Sequence, residues 1–281
     1  HLHCHTEYSM LDGAIRLKDL CQKAKDYGMG ACAVTDHGNM FAAASFQKAC
    51  TEFGIKPIFG CEVYTCRDHL DAKRRNHLIL LAKNMTGYHN LVKVVTKGWL
   101  EGFFYKPRVD WNILKEYSEG IICLTACIQG EIPQAILSGD MDKARRITRQ
   151  YAELYKDNFY LELQHNGLEK QTIVNNGLLE LAESEHLPVV ATNDCHYLNA
   201  DDYEAHEILL CIGTGSTIND KKRFRFETHE LYYKSPEEME RDFASVPQAI
   251  ENTAKIAEMC NLEFTFGKYH LPEFKVPEGY T

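Results

Sequence analysis

Nowhere in the 281 residues does an apolar run approach the ~20 residues that a membrane-crossing helix needs, and no secretory signal pattern opens the chain. No membrane partner is therefore expected. A basic surplus is missing too: 31 Lys and Arg face 40 Asp and Glu, for a formal net charge of −9. A domain gripping duplex nucleic acid along a broad groove would carry the opposite balance. The acidity favours a compact site, where bound divalent cations would offset part of it. C-x-x-C pairs are absent among the eleven cysteines, whose number is odd. Several sit inside apolar runs, Cys32 within 31–34 and Cys123 within 121–124, where free cysteine behaves as a small hydrophobe. That pattern speaks for a reducing cytoplasm and against a disulfide framework. Internal repeats and low-complexity stretches are also lacking. The first residue is His1 rather than Met, as expected of numbering that begins inside a longer gene product.

What is present reads as one sizeable domain. Hydrophobic residues make up 44% and charged residues 25%, enough for a core at this length. Short apolar, β-rich runs recur at 31–35, 57–64, 77–82, 120–125, 159–163 and 187–192. Stretches with helical spacing lie between and after them: the face of Leu17, Leu20, Cys21 and Ala24, then 41–53, 88–96, 141–155, 172–184 and 250–260. Alternation of this kind predicts βαβ units and a largely parallel sheet, and six or seven such units favour a closed α/β barrel. Residues 213–226, rich in Gly, Thr, Asp and basic side chains, read as a long loop. Residues 1–267 form the expected barrel domain. Residues 268–281, with Pro272 and Pro277, read as an extended exit linker.

Ligand-type side chains gather at the ends of the predicted strands. His3 and His5 alternate in H-L-H-C-H, so on a strand they share one face. His1 shares it as well, and spacing does not say which two of the three bind metal. Asp12 lies in the loop Leu11-Asp12-Gly13, Asp36-His37-Gly38 follows the run 31–35, and Glu62 stands in Gly60-Cys61-Glu62. Asp194 and His196 alternate after the run ending at Ala191. Each has a plain reading: a lone histidine beside an apolar run is commonly hydrogen-bonded core, Asp12-Gly13 suits a turn, and Asp36 suits a helix N-cap. Together, at the ends of several parallel strands, they converge on one barrel rim. Imidazole nitrogen suits zinc, manganese or iron, carboxylates can bridge two ions, and a two-metal site serves phosphoester hydrolysis.

These motifs resemble a known family. H-L-H-C-H-T-E-Y-S-M-L-D-G, T-D-H-G-N-M, G-C-E and T-N-D-C-H-Y are similar to the polymerase and histidinol phosphatase (PHP) family, in the version found in bacterial DNA polymerase III alpha subunits. Tyr105-Lys106-Pro107-Arg108-Val109-Asp110, Phe159-Tyr160-Leu161-Glu162-Leu163 and Leu271-Pro272-Glu273-Phe274-Lys275-Val276-Pro277-Glu278-Gly279 carry the same likeness. The resemblance implies a distorted seven-stranded β/α barrel followed by a polymerase palm. It implies nine metal ligands: His3, His5, Asp12, His37, Glu62, His77, Cys127, Asp194 and His196. His1 falls where simpler relatives carry an aspartate and is given a structural role. Cys127 stands where relatives often have histidine, and thiolate remains a good zinc ligand. His77 precedes its apolar run, so in a parallel barrel it belongs at the wrong rim unless its strand runs antiparallel.

The implied function is a metal-dependent 3′–5′ exonuclease with Asp12, His37, Asp194 and His196 at the chemistry and two or three divalent ions. Zinc is the leading candidate, with manganese, iron or magnesium as alternatives. The implied partners are a DNA primer 3′ end, the remainder of the polymerase III alpha subunit and a proofreading exonuclease subunit. Arg16, Arg108, Arg223 and Arg225 are candidate phosphate contacts and equally ordinary surface charges. The alternative is non-catalytic: ions that only staple a barrel serving as an interaction platform. A free-standing phosphatase for small monoesters is a third reading.

Overall fold

A computed structural model describes residues 1–10, 12–67, 75–269, 271–272, 274–276 and 279. Leu11, beside Asp12, lies outside the described residues, as do 270, 273, 277, 278, 280 and 281 of the expected exit linker. The described linker residues are exposed and carry no helix or strand.

The chain builds a curled mixed sheet wrapped in helices. After α1 (Leu17–Asp26) come β1 (Ala31–Val34), α2 (Ala43–Phe53) and β2 (Lys56–Thr65). β1 pairs parallel with the first half of β2, from Ala31↔Lys56 to Val34↔Phe59, as a helical crossover dictates. The next strand, β3 (Asn76–Ala82), pairs antiparallel with β2 from Gly60↔Leu81 to Thr65↔Asn76. Ten residues, too few for a crossover helix, join the two strands, so the chain turns back. β3 also runs antiparallel to β6 (Ile121–Leu124), which pairs parallel with β7 (Phe159–Gln164), and that in turn with β8 (Val189–Thr192). The largely parallel sheet expected from the sequence is thus interrupted by the reversed strand β3.

The ring closes through the N-terminal segment. Ala33 N donates to His1 O (3.1 Å) and Thr35 N to Cys4 O (2.9 Å) on one side. His5 N donates to Cys195 O (2.8 Å) and Cys195 N to His3 O (3.1 Å) on the other. The N-terminal segment with β1, β2, β3, β6, β7 and β8 makes the distorted seven-stranded barrel. α3 (Met85–Leu100), α6 (Met141–Tyr155) and α7 (Glu169–Glu185) pack outside it. Beyond the elements expected from the sequence stand a side hairpin, β4 (Phe103–Phe104) with β5 (Lys106–Val109), and the helices α4 (Trp111–Glu116), α5 (Glu131–Leu137), α8 (Tyr203–Thr214) and α9 (Pro236–Asp242).

Strand alternation sorts the side chains onto the two faces of the sheet. Val63, Leu78, Leu80, Cys123, Leu161 and Ala191 face the helices. Ile58, Ile79, Leu81, Ile122, Tyr160 and Val190 fill the barrel interior with Ile256 of α10 (Pro247–Met259). Asn252 of α10 caps the carbonyl of Val189, the first residue of β8, so α10 stoppers the end where the parallel strands begin. Moving two residues along each inward row leads from this apolar floor to polar groups: Ile79 to His77, Tyr160 to Glu162, Val190 to Thr192 and Asp194. The site lies at that end.

Candidate metal centre

The nine side chains expected as ligands meet in one buried cluster. His3 Nε2 lies 3.2 Å from His5 Nε2, and both stand 3.1 Å from Asp194 Oδ1. Glu62 Oε2 lies 3.1 Å from His5 Nε2 and 2.8 Å from His37 Nδ1. His37 Nε2 approaches Asp12 Oδ2 at 3.1 Å. The rings of His5 and His37 stack with centroids 4.0 Å apart, and those of His5 and His196 lie 4.3 Å apart. His77 Nδ1 meets Glu62 Oε1 and lies 3.7 Å from Cys127 Sγ. Because β3 is reversed, His77, opposite Tyr64 in the β2–β3 ladder, starts its strand at the rim where the other strands finish. The wrong-rim difficulty disappears.

Local structure aims these groups. Ala126 (φ 62°), just before Cys127, and Asp194 (φ 49°) both adopt left-handed backbone at strand ends, a costly conformation that clusters at functional sites. His196 Nδ1 lies 2.8 Å from the Asp194 carbonyl, an acceptor, so Nδ1 carries the proton and Nε2 keeps its lone pair. Ser9 Oγ donates to Asp36 Oδ1 (2.7 Å) and accepts from His5 Nδ1 (3.0 Å), which leaves the His5 Nε2 lone pair facing the cluster. Asp36 thus supports the site from behind, also taking the Thr6 amide (2.7 Å). His1 does not reach the cluster. Its Nε2 lies 2.9 Å from the Lys234 carbonyl and its ring sits 4.2 Å from that of Tyr233.

Charge balance in the cluster is tight. Burial works against ionising Glu62 and Asp194, yet the surrounding histidines hold both carboxyls well below their ordinary range. Burial likewise opposes protonating His37, but Glu62 and Asp12 outweigh it and raise its pKa to about 10. His3 is raised well above its usual value because Asp194 and Glu162 overcome burial. His196 goes the other way, to about 3, through burial and the neighbouring His5. Burial, with Asp194 and Glu62 nearby, pushes the Cys127 thiol up.

The donor set fits divalent cations. Asp12 Oδ1, His37 Nδ1, both Glu62 oxygens and Asp194 Oδ1 are buried and make no hydrogen bond, although other donors crowd within about 3 Å. Buried polar atoms are ordinarily satisfied, and lone pairs converging on one another are satisfied by a shared cation. Among the described residues four groups lie within ligating reach: His5–His37–His196 and His3–His5–Asp194, which share His5, and Glu62–His77–Cys127, all in this cluster, with Cys21–Cys32–Cys50 outside it.

An open cleft of about 1600 Å³ gives access to Asp12, His37, Glu62, His77, Cys127, Asp194 and His196. Basic residues line it, among them Arg67, Arg75, Lys106, Arg223 and Arg225. Of the four candidate arginines, Arg223 and Arg225 are there, while Arg16 N-caps α1 and Arg108 packs over Phe104. Ser9, Glu162, Thr192 and Gln164 also belong to the site and are not marked by ligand-type spacing. Glu162 had one signal: an acidic residue inside the otherwise uncharged strand FYLELQ.

The chain matches known proteins in sequence. A family model described as the PHP domain matches residues 1–166. A DNA polymerase III subunit alpha from Borreliella burgdorferi is 44% identical over 285 residues, covering 99% of this chain and 25% of that protein. The subunit from Thermus aquaticus is 42% identical, covering 100% and 24%. The chain spans about a quarter of the length of these relatives. Among solved structures, an amidohydrolase from Chromobacterium violaceum superposes with a TM-score of 0.49 at 13% identity, over 69% of this chain and 86% of that one.

Proposed function

The chain belongs to the PHP family, and on that footing we propose that it is a metal-dependent phosphoesterase domain removing nucleotides from the 3′ end of a DNA primer. Its partner in this reading is the rest of a replicative polymerase subunit, with a separate proofreading subunit as a second candidate. The observation that carries the proposal is the set of buried oxygen and nitrogen atoms with no hydrogen-bond partner, gathered from sites up to 182 residues apart under a basic-lined cleft.

His3, His5, Asp12, His37, Glu62, His77, Cys127, Asp194 and His196 would hold two or three divalent ions, zinc before manganese, iron or magnesium. Such ions supply a nucleophile at neutral pH and offset charge on the phosphoryl oxygens. The chain's own residues do the rest. Burial keeps His196 neutral and its Nε2 free to ligate. Asp12, with 27% of its side chain exposed against 1% for Glu62, is the carboxylate best able to pass a proton between the cleft and His37. Arg225 steadies the phosphate from the wall, while Arg223 beside it is paired with Glu207 at 2.6 Å.

The test is a 3′-mismatched primer–template given to protein loaded with zinc, manganese or magnesium, with a generic phosphate monoester in parallel. Shortening of the primer from its 3′ end, abolished in Asp194→Asn with the fold retained, is the expected result. Turnover of the monoester alone would make the domain a small-molecule phosphatase. No cleavage with any ion would leave the barrel as a metal-stapled interaction platform.

A further inference from the structure

Below the cluster, one step down the inward-facing row of β7, sits a carboxylate that the proposed chemistry does not use. Glu162 is fully buried. Its Oε1 accepts from Thr192 Oγ1 at 2.5 Å and Gln164 Nε2 at 3.0 Å, and lies 2.6 Å from His3 Nδ1. Its backbone amide donates to Thr125 Oγ1 at 2.8 Å, which ties β7 to the end of β6. We propose that Glu162 is a positioning residue: it fixes the His3 tautomer and orientation so that Nε2 presents its lone pair to the ions.

An oxygen that receives a hydroxyl and an amide proton has no proton of its own to give, so His3 must donate from Nδ1. In the neutral ring that metal binding requires, Nε2 is then left as the acceptor, and it is the atom 3.1 Å from Asp194 Oδ1 and 3.2 Å from His5 Nε2. Thr192 and Gln164 keep the carboxylate from swinging away. His5 and His196 are oriented by neutral groups, a serine hydroxyl and a backbone carbonyl. His3 has a carboxylate instead. A carboxylate behind an imidazole raises the basicity of the ligating nitrogen and locks its direction, so His3 is the strongest imidazole donor of the three. This inference rests on the metal-centre reading above and extends it by one layer.

The competing role is a plain staple joining the N-terminal segment, β7 and β8, and two experiments separate the roles. Ion-free wild type, Glu162→Gln and Thr192→Val are titrated with Co(II), reading affinity and the visible absorption bands. Gln keeps the volume but removes the charge, and the expected result is about 10- to 100-fold weaker binding with altered bands; Thr192→Val falls between. A mere staple would lower the unfolding midpoint of the ion-free protein and leave Co(II) affinity and bands unchanged, which would overturn the inference. The second experiment needs no variant: nitrogen NMR of ¹⁵N-histidine-labelled, zinc-loaded wild type. His3 protonated at Nδ1 alone supports the inference, and any other protonation pattern refutes it. A wild type that takes up neither Co(II) nor zinc sinks the metal-centre reading itself, a different outcome from binding that Glu162 does not influence.

Discussion

Lys234 has only 1% of its side chain exposed, and its ammonium is held by Asp242 Oδ2 and the His165 carbonyl, both at 2.8 Å, with Glu230 at 3.1 Å. Its own carbonyl meets His1, so this ion pair also seats the segment that carries His3 and His5. Removing one partner of a buried pair leaves the other uncompensated, so Asp242→Asn should cost roughly 3 kcal/mol near neutral pH, with Glu230 limiting the loss. Burial opposes ionising Asp242, but the Lys234 ammonium wins and holds its carboxyl below the usual range. A depressed carboxyl stabilises the fold above its unfolded value of about 3.9, and that contribution fades as pH falls through the folded value. Urea titrations of both proteins, from pH 7 down to the lowest pH at which wild type folds, should therefore converge on the acid side. A gap that persists there would refute the assignment. At this scale, legibility followed chemical type and spacing. His3/His5 and Asp194/His196 show through because alternation is a local pattern. His77 and Cys127 do not: one depends on strand direction, the other is one of eleven cysteines, and only the family resemblance marked them. Glu162 stayed hidden because its partner His3 is 159 residues away.

The strands were easier to read than the short helices for a physical reason. Six apolar runs matched β1, β2, β3, β6, β7 and β8 because strands buried on both faces are continuous hydrophobic stretches. α4, α5 and α9 span only six or seven residues, too few for helical periodicity to register. Strand direction is not written in any run, so the reversal of β3 emerged only from pairing. One element-scale contact lends itself to a test. Gly87, in the first turn of α3, has a built Cβ position only 1.9 Å from the Gly120 carbonyl oxygen, and Gly120 itself sits at φ +72°. Alanine in a helix would ordinarily gain about 1 kcal/mol over glycine. Here the neighbour is backbone at the entrance to β6 and cannot yield cheaply, so overpacking should win. Gly87→Ala is expected to destabilise by about 1–3 kcal/mol in denaturant titration. A neutral or stabilised variant would show that α3 does not lock against that turn.

For the whole molecule, the cluster matters because its donors come from around the ring, from every element but β7: the N-terminal segment, the turn after β1, β2 itself, the start of β3, the turn after β6 and the turn after β8. Cations held there would bind the folded chain and not the unfolded one. At about 100-fold over Kd such binding adds about 2.7 kcal/mol, or roughly 5–10 °C in Tm at this size. Stripping with a chelator should lower the melting temperature by that order, and zinc should restore it in wild type but not in Asp194→Asn. The pH course sharpens the test. In the ion-free protein His37 is raised to about 10 and His3 well above its usual value, both by carboxylates that overcome burial. A raised histidine stabilises the fold fully below its unfolded value of about 6.5, and loses that contribution as pH climbs through the folded value. The ion-free protein should therefore weaken progressively between about pH 6.5 and 10. Loaded protein should not, because metal binding requires neutral imidazole and gains as protons leave. The difference in Tm between zinc-loaded and chelated samples must widen from about pH 6.5 to 8.5. If it stays flat or narrows, the histidines and carboxylates of the cluster do not exchange protons for cations.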